Sequence, residues 1–157
     1  MQEKKFEHDL EVKKPFLSRE CLLVLSDART KKPLASLNFH NLGVNEETRE
    51  INVITSGLRA GNFEHAKQLM EDVQEILKAI ALKQKMNVLH SHLAVEEEEH
   101  ELKSLEDQNY VKTQEKIEGD EKISRFNKRI FFNASAKEPL KRHGLAAIRI
   151  MLEVGQW

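Results

Sequence analysis

The chain has 157 residues, 39% of them hydrophobic and 32% charged, which reads as one folded domain with a heavily charged surface and not as a disordered chain. Its net charge of −1 disfavours uniform nucleic-acid binding, which needs a surplus of Lys and Arg to displace counterions. Cys21 is the only cysteine, so no internal disulfide can form, and no stretch approaches the roughly 18–20 apolar residues of a membrane span.

Residues 1–20 are charged and weakly patterned, and Pro15 interrupts them, so they are expected to form an arm or a short strand. The opening Met-Gln-Glu-Lys-Lys carries no apolar signal core, which with the single cysteine points to a reducing, cytoplasmic setting. Cys21 to Leu25 is a short apolar run, the pattern of a strand buried on both faces, and its thiol is expected to be inert. A polar turn closes at Pro33. Leu34 to Phe39 then alternates, Asn41 to Asn45 is predicted as a turn, and Glu50 to Ile54 alternates again. Three strands at this spacing predict an antiparallel meander.

Gly57 and Gly61 bracket a predicted loop. Beyond it, Ala66, Leu69, Val73, Ile76 and Ile80 recur at three- and four-residue steps, predicting an amphipathic helix of roughly five turns with Asn62 as its cap. Asn87 to Val95 predicts a strand that points His90 and His92 to one face and Leu89, Ser91, Leu93 and Val95 to the other. Glu96 to Asp107 favours a helix with Leu102 and Leu105 inward. Residues 110–117 and 123–132 predict a hairpin, with Ile130, Phe131 and Phe132 in the core. After Pro139 a last helical stripe is read on Leu140, Ala147, Ile148, Met151 and Leu152.

The acidic run Glu96–Glu101 suits a helix start, where negative charge meets the positive end of the dipole, and it is expected to be a solvated face or a docking surface for a basic partner. The helix within residues 137–157 is a second expected partner-binding element. His90 and His92 share a face and could hold a metal only with a third ligand, so no metal is expected.

The order of meander, glycine-flanked segment, long helix, strand, helix and hairpin resembles the acyl-CoA-dependent N-acetyltransferases, the GNAT superfamily, over roughly residues 20–132. The resemblance implies an α/β (α+β) fold: a mostly antiparallel mixed sheet flanked by helices in a core domain of residues 21–132. An extra C-terminal helix in residues 133–157 would then pack on that core or on a partner. It implies acetyl-CoA as cofactor, bound between the Glu50–Ser56 and Asn87–Val95 strands, with Thr55, Arg59, Gly61 and Asn62 contacting it and His90 or His92 as the base. The family motif, Arg/Gln, two residues, Gly, one residue, Gly/Ala, falls on Gly61, Glu64 and Ala66, of which Ala66 fits. The family's helical tyrosine, often the acid for the leaving thiolate, falls on Leu105. Two functions follow: acyl transfer from acyl-CoA to an amine, or a protein that kept the fold, lost the chemistry and works by interaction.

Overall fold

The computed structural model describes residues 8–14, 20–96, 99–119, 121–131 and 140–156. Its strands are β1 (His8–Lys13), β2 (Cys21–Asp27), β3 (Pro33–Asn45), β4 (Glu50–Ala60), β5 (Val88–Glu96), β6 (Val111–Glu118), β7 (Glu121–Phe131) and the two-residue β8 (Gly155–Gln156). The helices are α1 (Phe63–Gln84), α2 (Glu99–Asp107) and α3 (Lys141–Val154). The sheet runs in the order β1-β2-β3-β4-β5-β7-β6, with β8 pairing beside β3. Every pair on that path is antiparallel except β4–β5, which is parallel and joined by the crossover helix α1.

Alternation along the strands decides what lies inside. Ile51, Val53, Leu89, Leu93 and Val95 are buried against α1, which presents Leu69, Val73, Ile76, Leu77 and Ile80 to them. α1 lies in the middle of the helical layer, touching α2 on one side and α3 on the other. The opposite face of the sheet carries Asn52, Ile54, Ser56, His90, His92, Arg125 and Asn127, all partly or largely exposed. The expected α+β fold with a mostly antiparallel mixed sheet is the observed one. No helix of the described residues is long and apolar enough to cross a membrane.

Several local expectations are corrected. The predicted turn at Asn41–Asn45 is strand, because the β3–β4 hairpin turns later, where Asn45 Oδ1 accepts the Glu47 and Thr48 amides at 3.1 and 3.3 Å. The predicted loop between Gly57 and Gly61 is strand as well: Ser36 pairs with Arg59 and Ala35 with Ala60. Phe131 is 69% exposed instead of buried, since it falls on the open face of β7, where the Arg129 guanidinium lies 4.9 Å from its ring centre; Phe132 lies outside the described residues. On α3 the buried stripe is His143, Ala146, Ala147, Ile150 and Val154, and Leu140, Ile148 and Leu152 are exposed.

The cause of that rotation is Asp72, a carboxylate buried in α1. His143 Nε2 approaches it at 2.7 Å, His8 Nε2 of β1 at 3.1 Å, Arg142 at 3.5 Å and Gln68 at 3.3 Å. Burial alone would raise its pKa, but the His143 hydrogen bond, His8, Gln68 and Arg142 outweigh that and hold it below the ordinary carboxylate value. A buried charge has to be paired, so α3 turns its His143 edge inward and leaves part of its apolar stripe outside. The tail of α3 is tied down too, with β8 adding in parallel to Leu42 and Gly43 of β3.

Candidate functional site

The open face of the sheet is a grid set by strand register. Asn52, His90 and Arg129 form one row across β4, β5 and β7; Ile54, His92 and Asn127 the next; Ser56, Ala94 and Arg125 the third. Ala94 is small, so the third row has a hollow at its centre. A cleft of about 570 Å³ occupies it, walled by Thr55, Ser56, His92, Ala94, Arg125 and Asn127, with His40 and Gln114 at its sides. That volume suits a small ligand.

The two histidines expected as bases lie side by side, ring centres 6.4 Å apart. His92 reaches the cleft, and both its nitrogens are engaged: Nδ1 at 2.8 Å from the Asn127 side chain and Nε2 at 3.1 Å from that of Asn52. A neutral imidazole donates once and accepts once, so one of the two amides must present its NH2 to the ring. His90 stands one row away, where Glu50 lies 3.5 Å from its Nε2 and 3.6 Å from Arg129. No group of three or more His, Cys, Asp or Glu able to hold an ion occurs among the described residues.

A second histidine of the cleft was not singled out from the sequence. His40 sits at an irregularity in β3, where the register against β4 slips between Phe39 and Asn41. The slip leaves His40 as an extra residue and aims it at Ser56 Oγ, to which its Nε2 is hydrogen-bonded. On its other side His40 Nδ1 lies 2.9 Å from Glu20 Oε1. Ser56 is followed by Gly57, whose φ of +68° bends β4 at that point. Gly57 was the one signal available in the sequence, where it reads as the edge of a loop; in a strand such a residue often marks a bulge.

The proposed cofactor contacts gather around the end of β4. Pairing between β4 and β5 stops at Ser56 and Ala94, so beyond it the two strands part. Thr55 is buried and donates its hydroxyl to the His92 carbonyl at 2.9 Å. Arg59 and Gly61 lie on a separate shallow depression with Lys13, Leu34 and Ser36. Asn62 caps α1, its side chain accepting the His65 amide at 2.9 Å.

An anion at this helix start would need backbone N–H groups turned toward it. The Gly61, His65 and Ala66 amides are instead used internally. Gly61 N–H bonds back to Leu34 O at 3.4 Å, and Ala66 N–H to Asn62 O at 3.2 Å. Since Gly61 bonds toward β3, its neighbour Ala60 points its N–H the other way, into the gap between the parted strands. There Glu101 Oε1, from α2, accepts it at 3.1 Å. Glu101 is 2% exposed, which corrects the expectation that the acidic run is wholly a solvated face; Glu97 and Glu98 lie outside the described residues. Glu64 adds a second carboxylate in the first turn of α1.

Tyr110 is buried, with its hydroxyl 2.8 Å from Ser91 Oγ, and burial pushes its pKa up to about 12. Leu105, at the position of the family tyrosine, is fully buried. The Cys21 thiol is raised to about 11, first by burial and then by Glu153.

No known protein family and no curated protein matches the chain. Solved structures do. The N-terminal domain of a ribosomal-protein-alanine acetyltransferase from Clostridium acetobutylicum is 13% identical, with a TM-score of 0.50 over 80% of this chain and 92% of that one. A ribosomal-protein-S5-alanine acetyltransferase from Vibrio fischeri is 16% identical over 75% of this chain and 64% of its own, with a TM-score of 0.47. An acetyltransferase from Bacillus subtilis solved in complex with CoA is 9% identical over 81% of this chain and 100% of its own, at a TM-score of 0.41. All three are under 20% identical to this chain. What the first of these shows is the fold: a mixed sheet with its parallel β4–β5 pair and crossover helix, the architecture of the GNAT acetyltransferases.

Proposed function

We propose that this is a protein of the acetyltransferase fold that does not carry acyl-CoA between its parted strands, and that works by binding a small ligand in the cleft on the open face of the sheet. The observation that carries this reading is the Glu101 carboxylate on the Ala60 amide. A buried carboxyl group fills the gap and occupies the amide that a phosphorylated cofactor would need, and displacing it would leave a buried polar group without its amide donor. The chain's own residues therefore fit acyl-CoA poorly.

Acyl transfer from acyl-CoA to an amine, with His90 or His92 as base, is the second reading. What favours it is that the cleft opens where β4 and β5 part, with Thr55 and His92 in its wall. Calorimetric titration with acetyl-CoA, and with coenzyme A alone, separates the two. No heat at millimolar ligand is expected for the native protein. Micromolar binding by the native protein would overturn the proposal and make His90→Ala and His92→Ala the next variants. Glu101→Ala, which removes the plug, is expected to bind measurably if the occupied amide is what closes the gap.

A further inference from the structure

We propose that Ser56, His40 and Glu20 form a nucleophilic relay at the open-face cleft, able to hydrolyse a small carboxylic ester. The inference rests on the reading that this cleft is the working site.

The geometry fixes the proton order. An ionised Glu20 carboxylate can only accept hydrogen bonds, so the His40 nitrogen 2.9 Å from it, Nδ1, carries the hydrogen. In the neutral ring Nε2 is then the lone-pair side, and it faces Ser56 Oγ, to which it is bonded. The hydroxyl therefore donates to the imidazole. That is the arrangement in which a serine can be activated: nucleophile against base, base against a carboxylate that sets its tautomer. Neither contact follows from regular strand geometry. His40 reaches Ser56 through the slip in β3 register, and the bend at Gly57 follows Ser56 directly.

The surroundings suit the same chemistry. Ser56 and His40 both border the 570 Å³ hollow, so an acyl group can enter beside the hydroxyl. Arg125 and Gln114 line the same cleft and carry the N–H donors that a developing oxyanion would require. Arg125 also favours an ester bearing an anionic substituent.

The reaction balances without a cofactor. Ser56 Oγ bonds to the carbonyl carbon while its proton passes to His40 Nε2. The bond from that carbon to the alkoxy oxygen breaks, and the proton leaves with the oxygen as an alcohol. Water then attacks the acyl-serine, giving a proton to His40. The carboxylic acid departs and the proton returns to Ser56 Oγ. Ester and water become acid and alcohol.

The test uses the full chain and a fluorophosphonate, which phosphonylates activated serines, read by intact mass and peptide mapping. A single adduct on Ser56 is expected, lost in Ser56→Ala and slowed about a hundredfold in His40→Ala. Hydrolysis of p-nitrophenyl acetate should fall in parallel in those variants. Glu20→Gln, a change at a positioning residue, should lower kcat at unchanged KM and shift the pH profile. No adduct on Ser56 in the native protein, which needs no variant to fold, would overturn the relay, as would ester hydrolysis undiminished in Ser56→Ala. The acetyl-CoA titration is independent of Ser56 labelling: acyl-CoA binding would sink the reading of the parted strands, and an unlabelled serine would sink the relay alone.

Discussion

Single residues bend this sheet at the places where chemistry gathers. Gly57 holds φ of +68°, and a Cβ placed there would stand 3.1 Å from Asn38 Nδ2. Gly57→Ala is therefore expected to cost about 1–2 kcal/mol, the penalty of a left-handed backbone in an L-residue, with Asn38 turning to give room. Urea denaturation read by circular dichroism would check it; a change within a few tenths of a kcal/mol would mean that the bend is not held in this conformation. His40 illustrates what a sequence hides at this scale. In the sequence His40 stands between an alternating run that ends at Phe39 and a predicted turn that begins at Asn41, and only pairing with β4 reveals that it is the residue out of register.

At the scale of elements, α1 was the most legible part of the chain. Its stripe repeats over 22 residues and its cap is the residue expected, because both are local properties of one helix. Asn62→Ala removes the acceptor of the His65 amide, and a loss of about 1 kcal/mol in thermal or urea unfolding is expected. An unchanged midpoint would show that another acceptor serves that amide. Helix α3 was read less well. Its apolar residues offer two overlapping stripes, and hydrophobic spacing cannot choose between them. The buried one is chosen by His143, a polar residue whose partner lies 71 positions away in sequence. The same limit applies to Glu101: in an acidic run each glutamate looks solvated until the adjoining strand edge is known.

For the whole molecule, Asp72 is where β1, α1 and α3 are tied to one another. Its pKa is lower folded than unfolded, so its contribution to stability is fully present above the unfolded value of about 4 and is lost as pH falls through the lower folded one. Asp72→Asn leaves His8, His143 and Arg142 facing a neutral amide, and a loss of about 3 kcal/mol at neutral pH is expected. The gap between native and variant should narrow on acidification below pH about 4. A pH-independent difference, followed by urea midpoints, would show that the carboxylate charge is not what ties the elements. The sequence by itself determined the element order, the faces of β4 and β5, the long helix and hence the acetyltransferase-like architecture, because alternation and helical periodicity are properties of neighbours along the chain. Only the tertiary structure decided that the amide at the end of β4 is taken by Glu101 and that Glu20, His40 and Ser56 line up beside a cleft. Both depend on register and on contacts between residues distant along the chain, which no local pattern encodes.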